Sequence, residues 1–242
     1  MADVLSVTEC TTTWAAQRQI TVACENKVDS TSDWAKTAAF KEDSDFVVYL
    51  TAHQTNGRGR GTHEWLDTGS GENLLTTWSL KMNSPPQAIT GPRVGLALYQ
   101  AAQKTWPSLN WSLKAPNDLL LAGLKTAGLL IETVTHGDRH RLLIGLGFNV
   151  LNFPRLLSEA TSLSEALGAS PDEGDWFRFL DEYKGQVLQA ANEITESRLS
   201  EGARQRLAAA LNANPLRPFE VKEVSAHGDL LHAGGQVSWT AL

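Results

Sequence analysis

The chain holds 242 residues, with 21 Lys and Arg against 27 Asp and Glu, a formal net charge of −6 at pH 7. That length accommodates one ample domain, or one domain with a small appendage. The acidic balance leaves no excess of basic charge to grip a nucleic-acid backbone, so no nucleic-acid partner is expected. With 42% hydrophobic and 20% charged residues, the composition is that of an ordinary folded chain, not a disordered or collagen-like one. Cys10 and Cys24 cannot build a disulfide framework and lack zinc-site spacing, so a cytoplasmic location is the default expectation. No run approaches the roughly 20 apolar residues that span a bilayer, so no membrane partner is expected. The eight tryptophans show no repeat period.

The segment from Ser30, SerThrSerAspTrp, predicts a helix: Ser30, Thr31 or Ser32 can cap orphan amides, and Trp34, Ala35, Ala38 and Ala39 line one face. Residues 46–51, β-branched and aromatic, predict a buried strand that runs into residues 53–65, a loop with neither helical nor strand period. A second strand is predicted over 73–80 and a turn over 83–87. An amphipathic helix follows through Val94, Ala97, Leu98, Ala101 and Ala102, with Pro92 near its first turn.

Leu109, Trp111 and Leu113 alternate with polar neighbours, which turns Lys114 to the opposite face just before the turn Ala115-Pro116-Asn117-Asp118. Residues 119–121, 127–133 and 141–150 predict an antiparallel meander with turns at Ala122-Gly123 and at 136–138. Trp176, Phe177, Leu180, Tyr183, Val187, Leu188, Ala191 and Ile194 recur at steps of three and four, the pattern of a helix on a sheet. Beyond Asn214-Pro215, a few short strands are expected. The fold class is therefore α+β: a mixed β-sheet with helices on one face over residues 1–212, and a small C-terminal β unit over 213–242 that is too short to be stable alone.

Four strings carry chemistry. Gly57-Arg58-Gly59-Arg60-Gly61 can turn consecutive amides toward one point while its arginines supply fixed charge, an anion-binding arrangement. A flexible solvated loop or an Arg-Gly segment for RNA is the other reading, and the string matches neither common nucleotide-binding glycine fingerprint. Lys114 ahead of the Pro116-Asn117-Asp118 turn can offset carboxylate or phosphoryl charge, with Asp118 available to Mg²⁺, or it can be an ordinary solvated turn. Gly128, within residues 125–132, means a bulge or close backbone approach to a ligand. Gly145 and Gly147, before Asn149, leave the same choice between a ligand and core crowding.

Taken together, D-S-T at 29–31, Q-x-x-G-R-G-R-x-x-x-x-W at 54–65, G-x-N-L at 71–74, K-x-P-N-D at 114–118, K-x-A-G-x-L-x-E at 125–132 and G-x-G-x-N-V at 145–150 resemble the biotin protein ligase family, biotin-[acetyl-CoA-carboxylase] ligase. The specificity lies in six strings in register. The resemblance implies a biotin/lipoate ligase-like core with a small SH3-like C-terminal barrel. It also implies ATP and Mg²⁺, with biotin as substrate: biotin and MgATP give biotinyl-5′-AMP, and biotin passes to one lysine of a biotin carboxyl carrier domain. Carried over residue by residue, Lys114, Arg58 and Arg60 would be catalytic. Ser30, Thr31, Ser32, Gln54, Gly57, Arg58, Gly59, Arg60, Lys114 and Gly128 would contact biotin. Arg58, Trp65, Lys114, Asn117, Lys125 and Asn149 would contact ATP. The resemblance names no metal ligands, and it is compatible with a monomer or a homodimer.

Three positions depart from the family pattern. Gly61-Thr62-His63-Glu64 replaces a further Gly-Arg and puts an acid beside the expected phosphate site, Ala115 stands where Trp is usual, and Ser32 stands where Asn is usual. None removes Lys114, Arg58 or Arg60, so activity is expected to survive. Only 28 residues precede Asp29, fewer than a winged helix-turn-helix requires, so a catalytic-core type without a DNA-binding head is expected. The alternatives are a lipoate or octanoyl ligase-type acyltransferase of the same fold, and a catalytically weakened biotin-binding module.

Overall fold

The computed structural model describes residues 6–41, 43–69, 71–193 and 196–241. The chain divides into two compact units, each built from two stretches: Met1–Pro85 with Thr126–Phe177, and Pro86–Lys125 with Arg178–Leu242.

The first unit opens with α1 (Val7–Gln17), whose N-cap Ser6 accepts a bond from the Glu9 amide. The strands β1 (Thr21–Val28), β2 (Phe46–Gln54), β5 (Leu74–Met82), β8 (Leu124–His136) and β9 (Arg139–Phe148) run in the spatial order β1-β2-β5-β9-β8. The sheet is mixed, because β1 pairs parallel with β2 while the other pairs in this row are antiparallel. A parallel pair needs a crossover, and here the helix α2 (Thr31–Ala38) lies between the two strands. Ala35 of α2 packs with Val47, Tyr49 and Leu143. The opposite sheet face takes Trp14 of α1, stacked on Trp78 at 6.1 Å, and Trp176, whose indole donates to Thr11 at 3.1 Å and tilts against Phe148. A short helix, α4 (Leu163–Leu167), completes the unit, capped by Ser162 and closed by Gly168 in the left-handed conformation.

Two segments depart from the sequence reading here. The stretch 53–65 is not without strand: it folds back as a hairpin of β3 (Gly57–Arg58) and β4 (Glu64–Trp65), two residues a side. Strands that short leave no alternating pattern to detect. Gly128 is no bulge, since the β8–β9 register runs unbroken from Ala127↔Phe148 through Gly128↔Gly147 to Leu129↔Leu146.

The second unit holds α3 (Thr90–Thr105), the hairpin β6 (Trp111–Lys114) and β7 (Asp118–Leu121), most of α5 (Glu173–Asn192), and α6 (Glu201–Asn212). A small sheet of β10 (Glu223–Val224), β11 (Leu230–His232) and β12 (Gly235–Val237) follows, closed by a 3-10 turn at Trp239–Ala241. Trp106, Phe179 and Tyr183 form an aromatic stack, and buried Arg93 donates to the backbone carbonyls of Glu193 and Arg198. Asn212 clamps the chain reversal by donating to, and accepting from, the Val221 backbone. Of the predicted helix positions, Trp176 through Ala191 lie on α5, and Ile194 lies outside the described residues. No described helix is long and apolar enough to cross a membrane.

Candidate functional site

Strand pairing arranges the site face of the first unit in rows. Tyr49, Thr77, Gly145 and Leu130 stand side by side across four strands, and Thr51, Leu75, Gly147 and Gly128 form the next row. Residues two apart share a face, so three glycines sit together where side chains would otherwise fill the surface.

What approaches them is specific. A Cβ on Gly145 would lie 2.8 Å from Ser32 Oγ, and one on Gly147 would lie 2.4 Å from the Trp65 ring. The first two turns of α2 and the indole of the hairpin therefore both descend onto glycine. The alternatives left open at Gly145 and Gly147 resolve into close approach by this chain's own side chains.

Above Gly145 is a knot of small polar groups. Thr31 donates from its backbone N–H and its hydroxyl to Gln54 Oε1 at 2.8 and 3.1 Å, Thr77 donates to Thr31 Oγ1 at 2.9 Å, and Ser32 and Thr77 hydroxyls meet at 3.2 Å. Ser30, Thr31 and Ser32 are 3%, 3% and 5% exposed. Ser30 is the α2 N-cap, yet its side chain makes no capping bond and its Oγ is buried without a partner. An orphan hydroxyl at that depth costs about 1–3 kcal/mol. The Gln54 backbone is held by Asp67, whose carboxylate accepts from the Gln54 backbone N–H at 3.1 Å and pairs with His53 Nδ1 at 2.7 Å.

The hairpin is the roof. Gly57 has no room for a side chain, since a Cβ there would lie 2.5 Å from the Trp65 carbonyl and 2.9 Å from the Gln54 amide nitrogen. Gly59 N–H donates to His63 O at 2.8 Å. Arg58 departs from the expectation of a free cation aimed at a ligand anion. Its guanidinium donates to Glu132 at 2.9 and 3.1 Å and to Asp33 at 2.9 Å, and Lys36 donates to the same Glu132 at 2.6 Å. Burial pushes the Glu132 carboxyl up, but hydrogen bonds from Arg58 and Lys36 outweigh it and hold the group below the usual range. The Glu132 bond in turn raises the Arg58 guanidinium further. Arg60 is exposed at the tip.

Asn149, expected inside a strand running to residue 150, lies just past the end of β9 at Phe148. Its N–H donates to Thr126 O, its side-chain amide to Thr161 O, and its Oδ1 is buried without a partner.

In the second unit Leu113 is buried and Lys114 exposed, but Ser112 is buried too, so the strand does not alternate as the sequence suggests and Lys114 emerges at its end. The Ala115-Pro116 bond is cis, and Trp239 donates to Pro116 O at 2.8 Å, so the C-terminal turn braces the segment that carries Lys114 and Asn117. Lys125 pairs with Asp118 at 2.8 Å, which offsets its charge. Among the described residues no group of three or more His, Cys, Asp or Glu is placed to hold a metal ion.

Sequence reasoning missed Thr77, Asp67, Asp33 and the partnership of Arg58 with Glu132. Glu132 stood within a quoted string, but nothing in its local pattern ties residue 132 to residue 58.

Comparison with known proteins bears on the fold and the family. A family model described as the Biotin/lipoate A/B protein ligase family matches residues 26–149, about half of the chain. The biotin-[acetyl-CoA-carboxylase] ligase of Mycobacterium tuberculosis is 31% identical over 181 residues, covering 72% of this chain and 66% of that protein. The bifunctional ligase/repressor BirA of Bacillus subtilis is 31% identical over 154 residues, 60% of this chain and 46% of that one. The matches thus span from under half to about two thirds of these relatives' lengths. The solved biotin protein ligase of Aquifex aeolicus, in complex with biotin and ATP, shares the fold with a TM-score of 0.66 at 21% identity, covering 90% of this chain and 94% of that one. The α+β core, the glycine-floored face and the matched segment lead to one assignment: the chain belongs to the Biotin/lipoate A/B protein ligase family.

Proposed function

We propose that this protein is an ATP-dependent biotin ligase that forms biotinyl-5′-AMP and transfers biotin to a lysine of a biotin carboxyl carrier domain. The observation that carries the reading is the buried, unpartnered Ser30 hydroxyl beside the Thr31–Gln54–Ser32–Thr77 knot, above the glycine floor. A ureido ring offers both donors and acceptors in one small rigid group, which suits hydroxyls and an amide that can each play either role. A fused bicycle and an aliphatic chain then fit against apolar strand residues and the Gly128 backbone.

In the first step a carboxylate oxygen of biotin attacks the α-phosphorus of ATP, the bond to pyrophosphate breaks, and a mixed anhydride results. In the second, the carrier lysine amine attacks the anhydride carbonyl, an amide forms and AMP leaves. Lys114 offsets the negative charge that gathers between carboxylate and α-phosphate. Trp65, Asn117 and Asn149 hold adenine and phosphates, with the Asn149 Oδ1 offering a buried acceptor. The roof formed by Gly57, Arg58, Gly59 and Arg60 keeps water from the anhydride. Mg²⁺ would enter with ATP and neutralise phosphate charge there, with few protein oxygens needed to hold it. Residues 1–212 form the catalytic region, and 213–242 a small β unit that steadies the Lys114 turn through Trp239.

The test is pyrophosphate release from the full chain with MgATP and either biotin or lipoate, followed by labelling of a carrier domain. Biotin-dependent release with carrier labelling is expected. Release with lipoate alone would replace biotin by a lipoyl substrate, and biotin binding without release would leave a binding module.

A further inference from the structure

We infer that Glu132 is a positioning residue: through Arg58 it holds the hairpin 57–65 closed over the polar pocket before any ligand arrives. The hairpin cannot hold itself, because two-residue strands joined by five intervening residues are marginal in water. Two ties fasten it to the sheet. One is the Trp65 ring lying on Gly147. The other is the paired contact of both Arg58 terminal nitrogens with the two Glu132 oxygens, at 2.9 and 3.1 Å, from a strand that is sequence-distant and rigid.

With side-chain exposures of 32% for Arg58 and 19% for Glu132 the pair is half-buried, and its two-point carboxylate–guanidinium contact fixes orientation. Glu132 also takes Lys36 of α2 at 2.6 Å, and Asp33 of α2 takes Arg58 at 2.9 Å. Two cations and two carboxylates thus cancel, so the cluster supplies geometry and little net attraction for an anion. It ties roof, sheet and α2, the element carrying Thr31 and Ser32, into one assembly. The functional half of the inference rests on the ligase reading above: a roof held closed retains the activated intermediate until the acceptor lysine replaces it.

The experiment compares the full chain with Glu132→Gln, which keeps shape and removes charge. Peptide-level hydrogen exchange is measured first without ligand. Exchange of residues 57–65 is expected to quicken at least tenfold, with β5 and β9 unchanged; unaltered exchange of the hairpin overturns the inference whatever the enzyme does. Next, MgATP and biotin are supplied with a bystander protein lacking a carrier domain. Several-fold more biotin on bystander lysines is expected, with the apparent KM for biotin raised and kcat of pyrophosphate release within threefold. A quickened hairpin with unchanged leakage and KM overturns the role in retention. A wild-type chain without biotin-dependent pyrophosphate release defeats the ligase reading while leaving the exchange result to judge the positioning role. Should the Gln variant not fold, Glu132→Asp is used, and intermediate exchange is expected where wild-type exchange would overturn the idea.

Discussion

Replacing Gly147 by Ala tests the packing on which the site face depends. Gly147 is not among the positive-φ glycines, so its backbone suits alanine and only space is at stake. The new Cβ would lie 2.4, 2.6 and 2.7 Å from Cε2, Cδ2 and Cζ2 of Trp65, so the ring must withdraw by about 1 Å to reach the 3.4 Å at which ordinary contact begins. An indole swings as a plate, so the whole side chain moves, and β4 moves with it. Overpacking of this kind costs about 1–3 kcal/mol. The unfolded chain, losing glycine's freedom, returns about 0.4–1 kcal/mol. In the Trp65→Ala background the clash is gone, so Gly147→Ala should there be neutral or stabilising by up to about 1 kcal/mol. A double-mutant cycle in urea, read by far-ultraviolet circular dichroism, should therefore return a coupling of about 1–3 kcal/mol. For a chain of this size that corresponds to several degrees in Tm. A coupling under about 0.5 kcal/mol, the limit for independent sites, would refute the contact between roof and floor.

Other consequences are smaller in scope. Ser30→Ala removes an orphan hydroxyl that makes no capping bond, so the ligand-free chain should gain about 1–3 kcal/mol in urea while the calorimetric Kd for biotin rises roughly tenfold, the loss of one buried hydrogen bond; an unchanged Kd would remove Ser30 from the pocket. Lys114→Ala should slow adenylation by about 10²- to 10³-fold in a pyrophosphate assay, as for one preorganised charge, and a loss below threefold would refute its assigned part. Glu132 has a folded pKa below the usual glutamate value of about 4.3, so its contribution is full above that value and fades as pH falls through the lower folded one. The stability difference between wild type and Glu132→Gln should thus be flat from pH 6 to 8 and shrink below about pH 4.3; a difference that grows on acidification would contradict the ion-pair assignment.

How much could be read along the chain depended on how local each cause was. The strands β2, β5, β8 and β9 and the helices α2, α3 and α5 carry dense apolar periodicity and declare themselves. Six elements did not. The strand β1 is an edge with mostly exposed or half-buried positions, so its sequence lacks a buried face to reveal it. The helix α1 has only its Ser6 and Glu9 start as a signal, a cap followed three residues on by an acid, while α4 and α6 are short or alanine-rich. The hairpin strands are too short to show any period.

The sequence by itself determined the α+β class, the turn that presents Lys114, and the six strings that mark the family, because these depend on residue type and spacing within a few positions. The tertiary structure alone decided which of those residues meet. Pairing register aligned Thr77 with Gly145 and Gly128 with Gly147, and so put three glycines under one helix start and one indole. It also set Glu132 against Arg58, a pairing that gives the hairpin an anchor on β8. Contacts between residues 74 positions apart are fixed by how strands pair and how a roof folds back, and no local pattern in either segment encodes that distance.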